Sequence, residues 1–367
     1  TTTMATFGGG QQEAIPVATV IPSGMVSAPP WTATKTTSTD ARALARALDV
    51  PDGVAEQLVK SAQTFAARYF VVDNSGSMTL HDGHKVHTSG GRTGTVSCSR
   101  WDELGESLEW LAKVAVELKA YAEFRLLNPP GNGGPQVVRL GTEESPETQL
   151  QRARSLVSSE PAGRTPLCAA IRGVVADLAA HREELLRTGK RACVVIASDG
   201  EASDGDVGAA LAPLRDLPCW VVVRLCTDED RVVEYWNHID EELELDLDVL
   251  DDLAGEAAEI KDHAPYLTYG LPLHRLREWG CAVKLIDVLD ERRLSVNEVL
   301  DLVTLVFGAH AKELLPHPEL NFKDFCKALD KLQASTLTPV WDPVHHKPRP
   351  WFDVHRLNRS HGKGLCA

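Results

Sequence analysis

The chain has 367 residues, 43% of them hydrophobic and 25% charged, with a formal net charge of −14. That length suits one large domain with a smaller satellite, and the mix is that of a globular protein. The negative balance argues against nucleic acid or an anionic membrane as partner, and no stretch approaches the roughly 20 apolar residues of a membrane span.

Residues 1–38 are rich in Thr, Ala, Gly and Pro and show no period, which predicts a flexible leader. No basic start followed by an apolar block marks a secretory signal, and a trimmed plastid transit peptide stays open. Over 39–66, DARALARAL and VAEQLVKSAQTFA predict two short helices joined by DVPDG. The pair resembles the first helices of a ubiquitin-associated domain without its third. The plainer expectation is a helical lead-in packed on the main domain.

From 67 to 262 strands alternate with helices. RYFVVD, EFRLLN, QVVRLGT, ACVVIASDG, CWVVVRLCT and LELDLDVLDD are strand candidates. Helical patterns separate them, among them WDELGESLEWLAKVAVELKAY and DRVVEYWNHIDEEL. Near-continuous apolar strands between amphipathic helices predict an α/β fold, a Rossmann-like, doubly wound and mostly parallel sheet. Residues 263–335 predict a small helical region, too rich in apolar residues to stand free of the sheet. Its last two helices have an EF-hand outline, but HAKELLPHPELN lacks the oxygen ligands calcium needs. The Pro-rich, basic stretch 336–367 reads as an extended tail over the surface.

The eight cysteines are scattered, with no CxxC pair. They predict a reducing, intracellular compartment without disulfides, the cytoplasm first and a plastid second.

The stretch with the sharpest chemistry is FVVDNSGSM at 70–78, an apolar strand that ends on Asp73, Ser75 and Ser77. Alternate residues of an extended segment point to one side, so a carboxylate and two hydroxyls converge there. Hard oxygens in a compact array suit Mg²⁺ or Mn²⁺. GRTPLCAAI places Thr165 just before a helix, and ACVVIASDG ends a second strand on Asp199. Ligands of open α/β sheets bind beyond the carboxyl ends of the strands, where all three segments would meet. The bland alternative is a set of turns and helix caps, which the same residue types also make.

The order DNSGSM, GRTPL, VVIASDG resembles a von Willebrand factor type A (vWA) domain with an intact metal-ion-dependent adhesion site, over roughly residues 68–262. The resemblance implies that Ser75 and Ser77 ligate Mg²⁺ (or Mn²⁺) directly, Thr165 directly or through water, and Asp73 and Asp199 largely through water. It also implies an open position for an Asp or Glu carboxylate of a partner protein. The chain departs from the family pattern in DGEASDG, which lacks a proline, and in an insertion over 78–100. VVRLCTDEDRVVEYWN, PLHRLREWG and the closing WDPV and PWFD resemble proteins of this type from unicellular algae.

His81, His84 and His87, with Asp82, lie in that insertion and could be read as a zinc site, but their spacing fits a solvated loop better. The acidic run 240–252 reads as half-buried structure with a solvated face. No nucleophile elbow or phosphate-binding Gly-rich loop is present. The leading expectation is therefore a non-enzymatic, metal-dependent protein-interaction module, a scaffold or subunit of a larger complex. The alternatives are a metal-dependent hydrolase or chelatase-like accessory, whose base would come from Asp82, Glu201, Asp204 or the histidines, and a purely structural subunit.

Overall fold

The computed structural model describes residues 29–33, 40–89, 92–227, 229–243 and 245–361. Helices α1 (Ala41–Leu48) and α2 (Asp52–Thr64) lead into strand β1 (Phe65–Val72). A two-stranded ribbon follows, β2 (Gly83–Ser89) and β3 (Arg92–Cys98), then α3 (Arg100–Leu118), β4 (Ala122–Leu126) and β5 (Val137–Leu140). Next come α4 (Pro146–Val157), α5 (Leu167–Ala180), α6 (Arg182–Thr188), β6 (Arg191–Ser198), α7 (Val207–Leu211) and β7 (Cys219–Leu225). Helix α8 (Asp230–Leu243), β8 (Leu247–Leu250) and α9 (Leu253–His263) close the alternating part. The remainder is α10 (Leu271–Glu278), α11 (Lys284–Glu291), α12 (Val296–Phe307), α13 (Ala311–Leu314) and α14 (Phe322–Thr336), a hairpin of β9 (Val340–Asp342) and β10 (Lys347–Arg349), and α15 (Val354–His361).

Six strands form one sheet in the order β5-β4-β1-β6-β7-β8, with only β5 antiparallel to its neighbour. Counted along the chain, the sheet strands run 3-2-1-4-5-6, the doubly wound, Rossmann-like order that reverses direction at its centre. Strand β1 shows why both faces are covered. Phe70 and Val72 join one apolar cluster with α2, α3, α10, α12 and α14, while Ala67, Tyr69 and Val71 join a second with α5, α7 and α8. Alternation with period two sends each set to its own face, so the strand reads as a continuous apolar run.

The helices beyond residue 263 share the first cluster and are part of this core. Two arginines of the sheet hold them. Arg68 of β1 is fully buried, donates from Nε to the Trp279 carbonyl at 3.1 Å and from Nη2 to Ser61 Oγ, and lies 4.2 Å from the centroid of the Trp279 ring. Arg224 of β7 pairs with Glu103 of α3 and Glu278 of α10, and Arg275 binds Glu278 at 2.6 Å. A charge in this position is tolerable because it is paired, hydrogen-bonded or stacked on an aromatic face.

Several expectations shift. The lead-in helices pack on α12 and α10 as well as on α3. The tail does not lie extended over the surface: it folds into the hairpin and α15, burying Trp341, Trp351, Phe352 and Leu357. Its aromatic residues carry enough apolar area to outweigh its prolines. The leader expectation falls mostly outside the described residues, but Pro30–Ala33 forms a 3₁₀ turn with Trp31 buried, its ring centroid 5.1 Å from that of His181. The insertion is a β-ribbon and not an open loop. In the acidic run, Asp246 binds Arg191 and Asp248 binds Arg277.

Gly280 has φ +78°, and a Cβ there would overlap Cys193 Sγ of β6. Gly280→Ala should therefore cost about 2–4 kcal/mol, since left-handed strain adds to overpacking. Urea unfolding checks this; an unchanged midpoint would contradict the close docking of α10 on the sheet.

His274 is buried with neither ring nitrogen hydrogen-bonded to a described residue, and burial pushes its pKa down to about 3. The unfolded chain takes up a proton below about pH 6.5 that the folded chain refuses, so stability is full above that pH and falls toward pH 3. The contribution lost by pH 4 is on the order of 3 kcal/mol. Unfolding free energies of wild type and His274→Leu at pH 7 and pH 4 should show the smaller drop in the variant.

Candidate metal centre

Strands β1 and β6 are adjacent and parallel, with Val72 opposite Ala197, and the Asp73 amide donates to the Ala197 carbonyl at 2.9 Å. Their carboxyl ends therefore emerge side by side, at the point where the strand order reverses. Asp73 leaves β1 there, and Asp199 leaves β6 there.

Four of the five sequence-predicted residues form one connected group. The Ser75 amide donates to Asp73 Oδ1 at 2.8 Å, Ser75 Oγ and Ser77 Oγ lie 3.1 Å apart, and Ser77 Oγ donates to Asp199 Oδ1 at 2.9 Å. Asp73, Ser75 and Asp199 are buried, and Ser77 is exposed. Burial pushes the Asp73 carboxyl pKa up, against hydrogen bonds from Ser198 and Ser75 that pull it down.

Thr165 belongs to the neighbouring loop, and its carbonyl accepts the Ser203 and Leu167 amides at 2.8 Å each. Its hydroxyl makes no hydrogen bond to another described residue. Main-chain bonds lace that loop to the first: Gly76 N–H to Gly163 O at 3.1 Å and Ala162 N–H to Asn74 O at 2.8 Å. The Asn74 side chain adds a reciprocal pair with the Asn128 backbone, 2.8 Å from Asn128 N to Oδ1 and 2.9 Å from Nδ2 to Asn128 O.

The donor set fits a small hard cation. Octahedral Mg²⁺ with bonds near 2.1 Å places neighbouring ligands about 3 Å apart. The two serine hydroxyls have that spacing, and the nearest carboxylate oxygen stands at a similar distance from Ser77. No group of three or more His, Cys, Asp or Glu residues that could hold a metal ion occurs among the described residues, so a cation here would have to rest on hydroxyls with flanking acids.

Other candidates are engaged elsewhere. Asp204 accepts the Cys168 and Ala169 amides at the start of α5. Glu201 lies 3.8 Å from Arg231 on the exposed surface. His84 and His87 are exposed and, being three apart on β2, face opposite sides of the ribbon, so with His81 they do not converge.

Sequence reasoning missed two residues of the site. Ser198 donates to Asp73 Oδ2 at 2.6 Å, and the sequence signal for it is its place beside Asp199 at the end of an apolar strand. Arg100 donates from Nη1 to Asp199 Oδ2 at 3.0 Å and also binds Asp82 and Glu229. Nothing in the sequence around Arg100 announces this, because all three acids are distant in the chain or across a ribbon.

Compared with known proteins, the chain matches no family model and no curated sequence.

Asn74→Ala removes both bonds to Asn128 and should cost about 1–3 kcal/mol, the penalty for unpaired, partly buried backbone groups. Thermal unfolding checks it; a variant as stable as wild type would show that the loops are held by main-chain bonds alone.

Proposed function

We propose that this chain is a metal-dependent protein-interaction module of the vWA class, acting as a scaffold or peripheral subunit of a larger assembly. The single observation that carries the reading is the Ser75–Ser77 hydroxyl pair, 3.1 Å apart and flanked by Asp73 and Asp199 at the reversal of strand order. Mg²⁺ or Mn²⁺ would be held by Ser75, Ser77 and Thr165, with Asp73 and Asp199 in support. Neutral hydroxyl ligands leave such an ion most of its charge, which suits it to accept a carboxylate from a partner.

The surrounding side chains favour binding over hydrolysis. A hydrolytic site needs a general base beside the reacting water. Asp82 is clamped by Arg100, which holds its carboxyl below the usual carboxylate range, and Asp204 caps α5. Asp82 and Glu229 share the single Arg100, which leaves the rim acidic, so a bare acidic partner would be repelled at long range. The partner should therefore present its Asp or Glu among basic or apolar neighbours.

Calorimetric titration with Mn²⁺ should show one site in wild type and none in Asp73→Ala or Ser77→Ala. Affinity capture from the native source should lose its partner with EDTA and weaken with Thr165→Ala, whose loop hydroxyl contributes little to the fold. Equal titrations in all proteins would remove the metal from the account. Capture indifferent to EDTA would place the interaction surface elsewhere and leave these residues a structural role.

A further inference from the structure

We propose that Arg100 is an internal cation that competes with the bound metal for Asp199, setting the affinity of the site and coupling metal binding to the base of the β2–β3 ribbon. The inference rests on the metal reading above.

Arg100 is the first residue of α3, and its side chain is only 3% exposed. Its guanidinium spans three segments of the chain. Nη1 donates to Asp199 Oδ2 at 3.0 Å, Nε to Asp82 Oδ1 at 2.8 Å, and Nη2 to Asp82 Oδ2 at 2.5 Å and Glu229 Oε1 at 3.0 Å. Asp82 stands in the turn that opens the ribbon, and Glu229 immediately precedes α8. Asp199 is shared: one oxygen takes Arg100, the other takes the Ser77 hydroxyl.

A guanidinium is charged at every accessible pH. An ion seated on Ser75 and Ser77 would lie one carboxylate away from it, and the Arg100–Asp199 pair that links them is itself buried. Arg100 and the metal then draw on the same Asp199 charge. Three acids around one arginine leave the cluster net negative, so a dication is still attracted, but less strongly than it would be without Arg100. As the metal takes Asp199, the guanidinium shifts its hold to Asp82 and Glu229, which are anchored in the ribbon and the α8 entry. Arg100 is thus a positioning residue and not a ligand.

The sign of the effect separates this role from a structural one. If Arg100 competes, Arg100→Gln should bind Mn²⁺ about tenfold tighter than wild type in calorimetry, one unit on the affinity scale. Asp82→Asn, which returns Arg100 wholly to Asp199 and Glu229, should bind more weakly. If Arg100 only props Asp199 in place, Arg100→Gln should bind Mn²⁺ more weakly or equally, and that result overturns the proposal. A second measurement needs no variant: in the full wild-type chain, saturating Mn²⁺ should lower amide hydrogen exchange over residues 80–85 and 229–233, because Arg100 then holds Asp82 and Glu229 more firmly. Unchanged exchange with Mn²⁺ demonstrably bound would overturn the coupling. Absence of Mn²⁺ binding in both wild type and Arg100→Gln is a distinct result, which removes the metal reading and this inference with it.

Discussion

The parallel pairing of β1 with β6 is the constraint on which the rest of this structure depends. These two strands are covered by helices on both faces and occupy the centre of the sheet. Because they run in the same direction and in register, their carboxyl ends open at one place. The connections out of them leave toward opposite halves of the sheet, so no helix covers the gap. Polar residues collect there because the chain must turn and the backbone donors left beyond the last ladder bond need partners. Asp73 meets that need for the Ser75 amide, and the side chains of Ser75, Ser77, Ser198 and Asp199 bond among themselves and to Asp73 around it.

The same sheet carries a second, less obvious polar layer. On the face toward the C-terminal helices, Arg68 and Arg224 stand where an alternating strand would ordinarily place aliphatic residues. Each is neutralised or stacked by groups from α10 and its flank: Trp279 for Arg68, Glu278 for Arg224. A buried arginine without such partners is costly, so the sheet and the C-terminal helices are obligate to one another. This explains why the helical region behaves as part of one core, and why Gly280 must let its backbone approach Cys193 so closely.

At the strand ends the charge balance runs the other way. Asp82, Asp199 and Glu229 converge on one guanidinium, and Asp73 relies on hydrogen bonds alone. Such a cluster is under-neutralised, which a dication can relieve. It also ties two parts of the rim, a ribbon and a helix entry, to the buried end of β6 through a single side chain. A two-stranded ribbon is marginal by itself, and this clamp together with its packing on α3 gives it a fixed base.

What the sequence by itself determined were the features written in local order. Alternation and apolar runs specified the strands and the two-faced sheet, and helix periods specified the helices between them. Asp73, Ser75 and Ser77 do come together as their spacing suggested, but not through an extended period of two: the strand ends at Val72, and Ser77 lies in a 3₁₀ turn, Gly76–Thr79, that Ser75 precedes. The nearness of Asp199 was legible because doubly wound sheets bring strand ends together. Only the tertiary structure decided the rest. Arg100 pairs with Asp199 across 99 positions, a relation that no local pattern encodes. The tail folds into a hairpin and helix because Trp351, Phe352 and Leu357 find an apolar surface made by distant segments. The histidines of the ribbon fail to converge because β pairing sends residues three apart to opposite faces. In each case the deciding energy is a contact between segments far apart in the chain, and such contacts exist only once the sheet has closed.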